Sequence, residues 1–171
     1  MSTFAPPTVA VVRLGPADEG RVADAWAKIA AEGHDRSFFN LRPLEEVLDS
    51  LRGTGATGVV APDGSIAALG WSLPLPAALK PYVFAQLGHV ESGYVCTNVV
   101  VPEHRGRRLQ RVVAGALLED LADAGHRWAA ITVSPTNAAS LRNLRACGFV
   151  QVGRGPVYGE HERLVLMKEI A

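Results

Sequence analysis

The chain is poor in the residues that staple or anchor a fold. It has only two cysteines in 171 residues, Cys96 and Cys147, far apart in sequence. No Cys/His group has metal-ligand spacing, so no metal is expected. Both cysteines sit in apolar stretches and read as reduced core residues rather than a disulfide. The N-terminus lacks a basic region leading into a long apolar run, so no signal peptide is expected. Apolar runs are short and interrupted, which argues against a membrane-spanning helix and a membrane partner. Net charge is also missing: 17 basic and 17 acidic residues cancel. No global field draws nucleic acid, and basic and aromatic residues do not interleave. There is no G-x-x-x-x-G-K-S/T and no G-x-G-x-x-G after a first strand, which argues against a nucleotide-dependent enzyme. Repeats, low-complexity tracts and linkers are absent. A single domain over residues 1–171 is expected, with a reducing cytoplasm as its default address.

The stretch from Val99 to Arg111 carries the most information. Val99, Val100 and Val101 read as the end of a strand. Pro102 cannot donate a ladder hydrogen bond and ends it. Gly106 allows a tight turn. From Leu109 onward, Val112, Val113, Ala116, Leu117, Leu121 and Ala124 recur at helical spacing, and Gly125 supplies a stop. The first N–H groups of such a helix are unpaired and attract anions. Arg105, Arg107, Arg108 and Arg111 crowd the same turn. Two readings stand at this point: a solvated arginine-rich helix start, or a site for a small polyanion.

This stretch resembles motif A of the GCN5-related N-acetyltransferases (GNAT), R/Q-x-x-G-x-G/A between a strand and a helix. In that family the loop holds the acetyl-CoA pyrophosphate through backbone amides. Arg105 takes the first place, followed by the common Arg-Gly form at Gly106. Arg108 stands where the first glycine is usual, and Gln110 where glycine or alanine is usual. A second stretch, Asn137 to Gly148-Phe149, resembles the family's motif B, in which an asparagine opens a helix that ends in Gly-Phe. The Arg-Gly-x-x-Leu-Gln and Thr-Val-Ser-Pro-Thr-Asn forms are similar to bacterial members.

The rest of the chain fits the same order. Residues Met1 to Pro7 read as an arm and Thr8 to Leu14 as a strand. A helix is predicted from Ala17 to Ala31, with Val22, Trp26 and Ile29 on one face. Pro43 to Leu51 reads as a second helix with Pro43 in its first turn. Thr57 to Ala61 and Ser65 to Leu73 form a hairpin across Pro62-Asp63-Gly64. Pro74 to Pro81 reads as a connection, and Tyr82 to Leu87 as strand or loop. Strands are expected at Gly93–Val101 and His126–Val133. Thr136 or Asn137 can cap a helix running to about Cys147. Phe149–Val152 and Arg163–Lys168 close the chain across a turn containing Gly155-Pro156 and Gly159. The order is β-α-α-β-β-β-α-β-α-β-β. It implies an α/β fold: a mixed, mostly antiparallel sheet with helices on both faces and one parallel pair. The resemblance implies that this pair is splayed at the cofactor site.

The resemblance further implies acetyl-CoA as acyl donor. Backbone groups of Val99, Val100 and Val101 would meet the pantetheine arm, and amides of Arg107, Arg108, Leu109, Gln110 and Arg111 the pyrophosphate. Arg105 and Gly106 belong to the same loop. Asn137 resembles the motif B asparagine that contacts the cofactor, with Ser140 and Asn143 as further contacts or as exposed helix polarity. Phe38 and Phe39 either line an acceptor pocket or cap the core.

Acetyl transfer to an amine needs the amine deprotonated, donors for the carbonyl oxygen, and a proton for the leaving thiolate. The family's usual tyrosine on the motif B helix corresponds here to Leu144. Tyr158, Tyr94 or Cys147 are the substitutes in sequence, or the thiolate leaves unprotonated. His89 and Glu91, two apart before the central strand, are the candidate base, or else solvated loop residues. The implied activity is N-acetyltransfer to a primary amine of a small molecule or protein. A non-catalytic CoA-binding sensor is the alternative. An edge strand near the C-terminus is available to pair with a second copy.

Overall fold

The computed structural model describes residues 9–89 and 91–170, and of Tyr158 only the backbone. The Met1–Pro7 arm, Thr8 of the first strand and Val90 lie outside the described residues.

Among the described residues, seven strands and five α-helices follow in chain order: β1 (Ala10–Leu14), α1 (Glu19–Ala30), α2 (Leu44–Gly53), β2 (Ala56–Val60), β3 (Ile66–Pro74), α3 (Lys80–Leu87), β4 (Ser92–Val100), α4 (Leu109–Asp123), β5 (Trp128–Val133), α5 (Ala138–Ala146), β6 (Val150–Tyr158) and β7 (His161–Glu169). The strands form one sheet in the order β1-β2-β3-β4-β5-β7-β6. Its pairs are antiparallel except β4 with β5, which are parallel. The α/β class and the mixed sheet with one parallel pair are as the sequence implies.

Helices cover both faces because each carries one apolar stripe to bury. Val22, Trp26 and Ile29 of α1 and Val47 and Leu51 of α2 pack on one face with Leu69, Trp71 and Val99. Leu109, Val113, Leu117 and Leu121 of α4 and Leu144 of α5 pack on the other with Val95 and Ile131. The caps foreseen for α5 hold: Asn137 Oδ1 accepts from the Ser140 N–H at 3.0 Å.

Two expectations are corrected. Tyr82–Leu87 is neither strand nor loop but most of α3, a fifth helix missing from the predicted order. Pro81 sits in its first turn, where the absent N–H costs nothing. Val83 and Tyr82 pack against Tyr94, Val157 and Val165. Secondly, Gly155-Pro156 is not a turn but lies inside β6. Proline is tolerated there because β6 is an edge strand. Gly155 makes room for α3: a Cβ on it would come within 2.1 Å of the Tyr82 hydroxyl.

Candidate active site

Strands β4 and β5 pair from Ser92↔Trp128 to Val95↔Ile131 and no further, although β4 continues to Val100 and β5 to Val133. They part at the point where β4 is irregular. Trp71 of β3 faces Thr97 while Ser72 faces Val95, so Cys96 is the extra residue of a bulge. The gap opens a cleft of about 660 Å³. The N–H of Val101 bonds the Ala67 carbonyl on β3 at 2.9 Å. Backbone direction alternates along a strand, so the peptide groups of Val100 and Asn98 face the gap and those of Val99 and Val101 face β3. The side chain of Val101 is core.

At the cleft mouth the chain turns from Val101 through a short 3-10 turn into α4. Gly106 has φ +78°, and a Cβ there would meet nothing within 4 Å, so the turn is open on its outer side. Arg108 precedes α4 with φ 60°, the left-handed region, and is alone in this among the described non-glycine residues. Among the described residues, the first backbone bonds into α4 run from Arg111 and Val112 to the Arg108 carbonyl, at 3.0 and 3.4 Å. The N–H groups of Leu109 and Gln110 thus belong to the unpaired first turn of a helix. They carry its positive dipole end beside the cleft.

Between α4 and α5 lies a polar bridge. Gln110 donates to Ser140 Oγ at 2.8 Å and accepts from Asn143 Nδ2 at 2.7 Å. Arg111 donates to Asn143 Oδ1 at 2.9 Å. Asn98 Nδ2 donates to the Gln110 carbonyl at 2.9 Å, while Asn98 Oδ1 is buried without a partner among the described atoms. Ser140 and Asn143 are therefore half-buried members of a network, not exposed helix polarity.

At the inner end, Tyr94 is buried with its hydroxyl 3.1 Å from Thr132 Oγ1, one residue past the last β5 pairing. Cys96 Sγ lies 3.9 Å from an Arg42 Nη and 3.8 Å from Thr97 Oγ1. Burial pushes the Cys96 thiol pKa up, against the pull of Arg42, Thr97 and the Trp71 indole. Arg42 also stacks over Trp71 at 5.3 Å. The near wall is the 34–42 connection, with Phe38 half-buried against His34, ring centroids 5.1 Å apart. Phe39 packs against the α1–α2 core and also lines the cleft. Arg163 of β7, almost fully buried, donates to the carbonyls of Ser37, at 2.6 Å, and Arg36.

The cleft gathers Phe38, Phe39, Val99, Val100, Arg105, Gly106, Arg108, Leu109, Gln110, Asn137, Ser140 and Asn143. It does not gather Val101, Arg107 or Arg111; Arg107 is exposed and Arg111 is turned to Asn143. The candidate base is not brought in either. His89 and Glu91 are exposed at the opposite, N-terminal end of β4, and His89 stacks on Phe84 at 4.5 Å. They are not on a shared extended face, because Gly88, with φ +70°, ends α3 and His89 lies in a bend. The side chain of Tyr158 lies outside the described atoms. The groups that sequence reasoning passed over are Thr132, His34, Arg42 and Arg163, which no local pattern marks.

No family model and no curated protein matches the sequence. Solved structures do match in shape. An acetyltransferase of the GNAT family from Listeria monocytogenes superposes with TM-score 0.72 at 11% identity, over 94% of each chain. NAA60 of Arabidopsis thaliana, in complex with acetyl-CoA, gives 0.72 at 18% identity, over 95% of this chain and 100% of that one. Arylalkylamine N-acetyltransferase 2 of Aedes aegypti gives 0.69 at 16%, over 96% and 100%. The fold is the GNAT fold. Within it, the position of the usual motif B tyrosine is filled by Leu144, which is 1% exposed in the core between α4 and α5 and does not reach the cleft. The two loop positions where GNAT proteins usually carry small residues hold a left-handed Arg108 and a bridging Gln110.

Proposed function

We propose that the chain is an acyl-CoA-dependent N-acyltransferase that passes acetyl from acetyl-CoA to a primary amine of a small molecule or a protein, by direct attack in a ternary complex. The observation that carries this reading is the parting of β4 and β5 beside the free N-terminus of α4. Two strands that part from one another suit an extended arm rich in amides laid between them. The helix N-terminus and the loop arginines at the mouth suit phosphate groups. The orphan Asn98 Oδ1 in the cleft wall is a ready acceptor for an amide N–H.

When bound, acetyl-CoA supplies an activated thioester. The N–H groups of Leu109 and Gln110 and the guanidinium of Arg108 would hold its phosphates. Val100, with Asn98, presents backbone groups along the gap, and an N–H there would stabilise the oxygen on which charge develops. Tyr94, whose hydroxyl meets Thr132 Oγ1 at the inner end of the gap, would be the group to give a proton to the departing thiolate. That thiolate leaves tolerably without help, because thiol pKa values lie near about 8.5. The acceptor amine would enter along the 34–42 wall, which Arg163 holds through the Ser37 and Arg36 carbonyls. Charges there are mixed, from Arg42, Glu46 and Arg163, so no single acceptor class follows. A CoA-binding sensor without turnover is the second reading, favoured by the burial of Leu144.

Thermal unfolding with acetyl-CoA, CoA and ATP tests the donor site. At about 100 times Kd, binding adds roughly 2.7 kcal/mol, or on the order of 5–10 °C. A shift with acetyl-CoA and CoA but not ATP is expected, followed by thiol release with members of an amine panel. No shift with either CoA species would overturn the donor assignment; binding with no thiol release across the panel would move the reading to the sensor.

A further inference from the structure

The two ends of the cleft are tied together by one carboxylate. Glu32, just past α1, takes both Arg105 terminal nitrogens in a fork, Nη1 at 2.6 Å and Nη2 at 2.5 Å. The same carboxylate lies 3.2 Å from His34 Nε2, and His34 packs on Phe38. Arg105 belongs to the loop at the cleft mouth and lines the cleft. The segment from Glu32 to Phe39 is thus a strap pinned at two points. Its far pin is Arg163, buried and set in β7, which holds the Ser37 and Arg36 carbonyls. Its near pin is Arg105, whose side chain is 46% exposed and whose Nε reaches the Val100 carbonyl at 3.4 Å. α1 itself is fixed to the turn before the loop by a separate pair, Lys28 with Glu103. Release of Arg105 would therefore free the Glu32–Asp35 end of the strap, while Arg163 keeps its hold on Arg36 and Ser37 and the helix stays fixed.

We propose that Glu32 is a positioning residue that couples donor binding to the acceptor wall: it holds Arg105 until a phosphate of the donor takes that guanidinium, and the Glu32–Asp35 end of the strap is then released, loosening the Asp35 contacts that set the Phe38–Phe39 wall. This rests on the acyl-CoA reading above. The physical ground is competition for one fork-shaped donor. A guanidinium matches carboxylate and phosphate alike, and a pyrophosphate next to a helix N-terminus gathers the dipole as well. The pair is partly exposed, 46% at Arg105 and 23% at Glu32, and a phosphate carries more charge than the single carboxylate it would replace.

The test uses the full chain with CoA as probe. Calorimetry should find that Glu32→Gln binds CoA about two- to fivefold tighter than the wild type, the range an exposed ion pair spans. Glu32→Asp, which keeps the charge, should lie closer to the wild type. Hydrogen exchange gives the readout that a merely structural role would not move. The Phe38 and Phe39 amides bond the Asp35 carbonyl at 2.9 and 3.0 Å, and Ser37 N–H bonds Asp35 Oδ1 at 2.6 Å. In the wild type their exchange should rise when CoA is added. In Glu32→Gln it should be raised already and unresponsive to CoA. CoA binding with unchanged exchange at 37–39, or Glu32→Gln binding CoA no tighter, overturns the coupling while leaving the donor site standing. No CoA binding by the wild type overturns both.

Discussion

Arg108 shows how one residue can depart from a pattern and keep its geometry. The turn into α4 needs a left-handed residue immediately before the helix, and Arg108 adopts φ 60° where a glycine would do so without a Cβ conflict. Its guanidinium, in return, stands at the cleft mouth. Arg108→Gly should therefore separate stability from binding. Relief of the left-handed strain, about 1–2 kcal/mol, is offset by the extra freedom of glycine in the unfolded chain, about 0.4–1 kcal/mol. A net gain of about 0.5 kcal/mol is expected. CoA binding should weaken and lose part of its salt dependence, because one cation near the phosphates is gone. Denaturant melts and calorimetry at two salt concentrations check both parts. A variant that is less stable and binds as well as the parent would show that the arginine serves the turn rather than the ligand.

At the scale of elements, α4 and α5 are joined across the cleft mouth by Gln110. Gln110→Ala removes two side-chain bonds and leaves Ser140 and Asn143 half-buried. The cost should be about 1–2 kcal/mol, or roughly 4 °C at this chain length, while CoA binding is kept because the position becomes as small as the resembled motif has it. A loss of CoA binding equal to that of a disrupted loop would instead make the bridge part of the phosphate site. The same elements show what can be read without coordinates. Pro102, Gly106 and the Leu109 stripe mark strand end, turn and helix by local chemistry, and Asn137 with Gly148 brackets α5. Local rules suffice there because the residues interact with their own backbone. α3 was illegible because Tyr82, Val83 and Phe84 look like strand formers, and their helical conformation is decided by packing on β6. The Glu32–Arg105 fork joins residues 73 apart and has no local sign at all. His89 and Glu91 were singled out by an alternation that holds only in extended chain, which the bend after α3 removes.

Across the whole molecule, the shifted acids set the pH range of the fold. The carboxyl pKa values of Asp18, Glu19, Glu32, Asp35, Asp63, Glu103 and Glu162 are all lowered, the first cause at each being a hydrogen bond from an arginine, lysine or serine. A group whose folded pKa lies below its unfolded one stabilises the fold above the unfolded pKa, and that support is lost as pH falls through the folded value. The unfolded values are about 3.9 for Asp and 4.3 for Glu. Stability should thus be level from about pH 5 to pH 8 and decline below about pH 4. Each exposed pair contributes little, so the acid limb should be gradual. The thiols act at the other end. Burial raises the pKa of Cys96 and of Cys147, so the unfolded chain loses those protons first and stability falls as pH rises above about 8.5. Thermal melts from pH 3 to pH 10 check both limbs. Cys96→Ser should flatten the alkaline limb, and Glu32→Gln should flatten part of the acid limb. An alkaline limb unchanged by Cys96→Ser would mean that the thiol is solvated in the folded state, and the Cys96 end of the cleft would then be open to water rather than enclosed by Arg42 and Trp71.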